Sequence, residues 1–328
     1  MRFSFFILLL CCGLIVSCNS ADPIFPREET LTMELMPLQG ITNPVRVEVI
    51  HPFLILQNWK RTDSLFHIYD LTDYKLKSVF GVTGPGPDDF LVPELYRTQL
   101  PDIFIGDKNS IYRFEINNQG LSVFKDVRKI SHFSGAANAA FINDSLYVVD
   151  PLYYEPSIYL LKLQDELPRK KRQYRDPAIR DYFVDPDRAD VYANENRIVL
   201  CYQYKKQLDF MDIDLNLIKR VKFKFDRTRN FSNPHDYKYS YTTGYFGKRY
   251  FYALFVGTTG SECIDLSFRK AVLEVFDLDG NPVISYLLDG LLPFSFAVDE
   301  ETFTFYGYRS DGEPDEDCLL MYQLKGLS

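Results

Sequence analysis

Apolar and polar positions alternate along this chain in paired runs that return at a nearly constant interval. One run type reads FLILQN (53–58), DIFIGD (102–107), SLYVVD (145–150), RIVLCY (197–202), YFYALFVG (250–257) and TFTFYGY (302–308). Each is followed by a second, more strictly alternating run: FHIYDL, IYRFEI, IYLLKL, LDFMDI, LEVFDL and LLMYQL. Period-two alternation with aromatic and β-branched enrichment predicts strands throughout. Aligning Phe53, Ile103, Leu146, Ile198, Phe251 and Phe303 gives steps of 43 to 53 residues.

The flanks extend each pair to four strands. Extended runs such as VRVEVI (45–50), NAAFI (138–142), ADVYA (189–193) and FSFAV (294–298) precede the pairs, across tight turns such as His51-Pro52 and Asn143-Asp144. Outer runs such as KSVFG and PVISYLL follow, reached through polar turns such as DLDGNP. Six units of four strands predict an all-β fold, a six-bladed β-propeller with four antiparallel strands per blade. The sixth unit ends without an outer strand. The early run TLTMELMPL, Thr30 to Leu38, belongs to no other unit and is expected to complete the last blade and close the ring.

Composition fits a large folded core: 46% of residues are hydrophobic, with 27 Phe, 23 Tyr and a single Trp. The formal net charge of −8 argues against nucleic acid as a partner. The basic run Arg169-Lys170-Lys171-Arg172 reads as a charged edge strand.

The N-terminus carries Arg2, an apolar stretch from Phe5 to Val16, and Ile15-Val16-Ser17-Cys18, the pattern of a bacterial lipobox. The expected organisation is a signal peptide over 1–17, a flexible tether over 18–29 and one propeller domain over 30–328. Cys18 would carry the lipid, palmitate among its acyl chains, and anchor the body to a membrane of the cell envelope, with the outer membrane favoured.

With repeats and lipobox together, the chain resembles the six-bladed TolB-like β-propeller lipoproteins of Bacteroidetes. GPGPDDF (84–90) followed by Pro93 is similar to the Gly-x-Gly-Pro-x-Glu-Phe…Pro connector common there, with Asp89 in place of Glu and Pro85 where a basic residue is common. The resemblance implies a fold and an envelope address more than an activity. No helix follows this glycine-rich stretch, so it reads as a rigid crossing between blades and not as a phosphate loop.

In a propeller, the loops joining second to third strands and those joining blades share one face, the expected binding surface. Candidate ligand-binding residues there are Trp59, Arg61, Tyr153, Tyr154, Tyr202, Tyr204 and Arg309. Flat aromatics beside cations suit a carbohydrate, peptide or envelope-protein partner. The long connectors 175–190 and 226–240 are expected to narrow the channel mouth. An alternative reading is a calcium-dependent hydrolase or lyase. Asn43, Glu94, Asn138 and Asp190 stand near the starts of the first four inner strands and would offer Ca2+ its oxygen ligands. No nucleophile elbow or H-E-x-x-H motif is present, so no catalytic residue is assigned. Cys263 and Cys318 fall in equivalent loops of the fifth and sixth units, a placement that permits a disulfide, whereas Cys201 reads as a buried small hydrophobe.

Overall fold

The second strand of a blade is covered on both faces by neighbouring blades, which is why it tolerates few exposed positions. Phe53–Asn58, Asp102–Asp107, Ile198–Tyr202 and Thr304–Tyr308 are buried at every position. The outer strands Leu76–Phe80 and Leu217–Lys222 are largely open to solvent. In blades one and four burial therefore falls from the second strand to the outermost, where one face meets water.

The computed structural model describes residues 22–40, 44–58, 64–86, 89–129, 138–151, 155–163, 165, 167–225, 237–260, 262, 271–308 and 318–327. These form six antiparallel sheets arranged as blades. Blade one comprises Pro44–Ile50, Phe53–Asn58, Phe66–Asp70 and Leu76–Phe80; blade two Glu94–Tyr96, Asp102–Asp107, Ser110–Ile116 and Ser122–Lys129. Blade three comprises Asn138–Phe141, Leu146–Asp150, Ser157–Lys162 and Lys170–Gln173; blade four Ala189–Ala193, Ile198–Tyr202, Gln207–Met211 and Leu217–Lys222. Blade five comprises Lys238–Phe246, Tyr250–Thr259, Val272–Asp277 and Pro282–Asp289; blade six Ser295–Asp299, Thr304–Tyr308 and Cys318–Gln323. The first strand of each blade is the innermost.

Ring closure uses the N-terminal run in two parts. Glu34–Pro37 pairs antiparallel with Cys318–Gln323 and supplies the fourth strand of blade six, as the repeat count requires. Glu28–Thr32 instead lies parallel to Pro282–Asp289 as a fifth strand on blade five. Upstream of both, Phe25 stacks on Phe223 and meets Phe276 edge-on, reaching the seam between blades four and five. One continuous arm thus fastens three blades.

Seams between blades hold the core. One cluster joins blades one and two through Phe66, Phe90 and Ile105, and another joins blades four and five through Phe210, Phe251 and Cys201. Cys201 is buried and free, a packing residue as its apolar run predicts. The turns repeat one chemistry. Asn143, Asn194 and Asp299 each accept backbone N–H groups two residues on, as do Asn117, Asp212 and Asp277 on the outer hairpins. Such Asx turns explain the polar punctuation between strands.

Candidate functional site: a cup in the propeller channel

The inner strands of the blades enclose a cavity of about 300 Å3 along the channel. Its charged lining consists of Arg46 from blade one, Glu94 and Arg97 from blade two, Arg188 from the connector into blade four, and Asp190 of blade four. Asn138 of blade three completes the polar wall.

Each residue is placed by its neighbours. Glu94 follows the connector between blades one and two, which is pinned twice. The buried Asp107 carboxylate accepts the N–H groups of Leu91 and Val92, at 3.1 and 2.7 Å. The Gln57 amide donates to Pro93 O at 2.7 Å and accepts from Leu95 N at 2.8 Å. Within the same connector, Asp89 accepts from Gly86 N at 2.9 Å and Phe90 is buried in the seam, so described donors are spent internally and not on a phosphate. Glu94 then meets Arg46 at 2.5 Å. Asp190 accepts from the side-chain amides of Asn138 and Gln203, both at 3.0 Å.

One wall comes from the 175–190 connector, which reaches the cup as its length predicts. The buried Arg175 holds it, lying 3.9 Å from Asp150 and 3.6 Å from Asp185 and donating to Glu155 O at 2.7 Å. The short 3-10 turn Tyr182–Val184 is capped by Asp181, whose side chain accepts from Phe183 N. Tyr182 and Phe183 thereby face the cavity. The Arg188 guanidinium lies 4.7 Å and 5.2 Å from their ring centres. Among the described residues no carboxylate lies within ion-pair distance of Arg188, and its Nε has no hydrogen-bond partner.

Deeper in, the channel is bridged. Arg97 donates to Gly244 O and, at 3.1 Å, to Thr243 Oγ1 on blade five, the blade opposite. Gln99 donates to Phe246 O at 2.5 Å and to the Tyr245 hydroxyl at 3.2 Å, which in turn donates to Glu48 Oε1 at 3.2 Å. Tyr192 accepts from Gly244 N at 2.8 Å, with the Arg97 guanidinium 5.4 Å from its ring centre. Glu48 is only 2% exposed and its Oε2 has no partner among the described residues. Burial pushes its carboxyl up to about 8, against the opposing pull of the Arg97 charge. The channel is therefore a cup with a polar floor.

Three of the four residues expected near a central ion, Glu94, Asn138 and Asp190, do converge on this cup; Asn43 lies outside the described residues. Arg46 engages one Glu94 oxygen, the amides of Asn138 and Gln203 engage both oxygens of Asp190, and no described group of three or more His, Cys, Asp or Glu has the geometry to hold a metal. The aromatic surface expected from Tyr202 and Tyr204 is not formed by these two. Tyr202 is buried in the seam between blades three and four and donates to Asp209 at 3.1 Å. Tyr204 is buried against Tyr237 and Tyr239 and donates to Phe183 O. Both fall where the chain turns from second to third strand, and the rings fold inward because blade seams offer more apolar contact than the loop surface. Trp59, Arg61, Tyr153, Tyr154, Arg309, Cys18 and Cys263 lie outside the described residues, as does the side chain of Cys318.

Sequence reasoning missed Arg46, Arg97 and Arg188. A usable signal existed for the first: VRVEVI places Arg46 and Glu48 two apart on an inner strand, hence on one face, and in a propeller that face is the channel.

Residues 25–301 match the family model described as TolB-like 6-blade propeller-like. Among solved structures, a member of the DUF4221 family from Bacteroides vulgatus superposes with a TM-score of 0.56 at 13% identity, over 89% of this chain and 96% of that one. KlHsv2 with loop 6CD replaced by a Gly-Ser linker is more distant, at a TM-score of 0.39 and 12% identity over 83% of this chain and 81% of that one. No curated protein matches the sequence.

Proposed function

Because the chain belongs to the TolB-like 6-blade propeller family, we propose that it acts as a binding module of the bacterial cell envelope, anchored to a membrane by lipid on Cys18. Its ligand would be a carbohydrate, a peptide or part of an envelope protein, taken on the blade-connecting face. The observation that carries this reading is the cup itself. It is concave, bridged at its floor, and lined by a few convergent charged groups among aromatic rings, the usual anatomy of a ligand site. At about 300 Å3 it holds a small molecule or the end of a larger one.

Asn138→Trp, placed at the Asp190 side of the cup, should fill it, at the loss of the hydrogen bond from Asn138 to Asp190. Glycan and peptide array binding by the full-length protein in detergent should be lost in this variant; equal binding by both proteins would remove the cup from the reading. The anchor is checked by incorporation of labelled palmitate, which Cys18→Ser should abolish. The calcium-dependent hydrolase reading draws on the convergence of Glu94, Asn138 and Asp190. It is the weaker of the two, because three guanidinium groups line the same space and repel a cation. A calcium-dependent rise in melting temperature that Asp190→Asn removes would restore it.

A further inference from the structure

The chain as a whole is acidic, at −8, yet its cup is not. Arg46, Arg97 and Arg188 face Glu94 and Asp190, three guanidiniums against two carboxylates. Glu94 is matched by Arg46, and Asp190 is held by two neutral amides. Arg97 is committed to the floor through Thr243 and Gly244. Arg188 remains: its guanidinium lies against the rings of Tyr182 and Phe183, with the hydroxyls of Tyr182 and Tyr204 and the charge of Asp190 acting on it, but among the described residues no carboxylate is within ion-pair distance and its Nε has no hydrogen-bond partner. A guanidinium fixed by aromatic faces is pre-organised, so little side-chain freedom is lost when it meets an acceptor.

We propose that the cup recognises the carboxylate of a small organic acid group, carried by a sugar acid or by the free C-terminus of a peptide, with Arg188 as its anchor. This rests on the cup being the ligand site. One uncompensated positive charge matches a monoanion, and the planar fork of arginine matches the two oxygens of a carboxylate. Asn138, Asp190 and Thr242, whose Oγ1 has no hydrogen-bond partner among the described residues, line the same space and would meet the hydroxyl or amide groups of the rest of the ligand.

Calorimetry on the full-length protein in detergent compares matched probes: glucuronate with glucose, N-acetyl-alanyl-alanine with its C-terminal amide, and inorganic phosphate. The expected result is that the acid of one pair binds about 10- to 100-fold more tightly than its neutral counterpart, and the pair that does so identifies the source of the carboxylate. Arg188→Gln should lose that factor, so that the acid binds no more tightly than its neutral counterpart, and Arg188→Lys, keeping charge without the fork, should recover part of it. Should Arg188→Gln fail to fold, the lysine variant and the acid-to-neutral ratio still decide. Equal binding of acid and neutral probes, or preference for phosphate, overturns the inference and leaves the cup as a ligand site. Array binding that persists in Asn138→Trp removes the cup itself, and the inference with it.

Discussion

Arg97 of blade two donates to the carbonyl of Gly244 on blade five, so opposite sides of the ring are tied through its centre. Neighbouring blades are joined by apolar seams; these two are joined by charge-assisted hydrogen bonds inside a polar channel. Arg97→Ala leaves Gly244 O and Thr243 Oγ1 without this donor and should cost about 1.5–3 kcal/mol in urea denaturation. A loss under about 0.5 kcal/mol would mean that water replaces the bridge freely.

Glu48 makes stability depend on pH in an unusual direction. Its carboxyl is raised from 4.5 to about 8 by burial, so the folded state holds the proton more tightly than the unfolded chain. Stability contributed by this group is present in full below 4.5 and is lost as pH rises toward 8. The loss should be on the order of 3–5 kcal/mol across that window. Glu48→Gln should flatten the dependence, and Arg97→Ala should shift it to higher pH by removing the nearby positive charge. Denaturation midpoints measured from pH 5 to 9 check all three; a slope unchanged in Glu48→Gln assigns the effect elsewhere.

Removing Arg175 leaves Asp150 and Asp185 buried without their shared cation. Arg175→Ala should cost about 3–5 kcal/mol near neutral pH. Asp185 is already raised to about 6 by burial, against the Arg175 charge, so the deficit should shrink at pH 5, where its carboxyl protonates. The same variant frees the connector that carries Tyr182 and Arg188, so ligand affinity should fall together with stability. A deficit that is the same at pH 5 and pH 8 would contradict this account.

Phe25 and Ile24 are adjacent on the N-terminal arm but differ in their surroundings. Phe25 packs on Phe223 and Phe276, whereas Ile24 is 81% exposed. Phe25→Ala should cost about 1–2 kcal/mol, and Ile24→Ala should lie within about 0.5 kcal/mol of the parent. Thermal melts of both variants give the comparison. Equal effects would indicate that the arm does not dock through its aromatic ring.

The repeat was legible because the second strand of each blade is sandwiched, and burial on both faces forces a continuous apolar run such as FLILQN or RIVLCY. Glu94, Asn138 and Asp190 were legible as cup residues once the inner strands were aligned, since each stands at or next to the start of one. Tyr202 and Tyr204 were misjudged because a tyrosine in a loop sequence carries no mark of which way its ring turns; both rings turn inward, Tyr202 to Asp209 of its own hairpin and Tyr204 to Phe183 of the connector. Arg188 was invisible for a related reason. It lies outside the repeat, in a connector whose path depends on Arg175 finding Asp150 and Asp185. The split of the closing run at Met33 was hidden as well, because Glu28–Thr32 and Glu34–Pro37 read alike but meet different blades.

The arm that closes the ring also sets the order in which the chain is able to fold. Met36 pairs with Leu319, so blade six is incomplete until Cys318–Gln323 has been made. Blades one to four consist of local hairpins and are able to form as they emerge, while the arm waits without its partner strands. Closing the ring is a contact of very long sequence separation, the kind whose loop-closure entropy slows folding. Until it occurs, two open strand edges are available to any extended segment nearby. The strand that stands at the head of the ring would then be among the last to find its place.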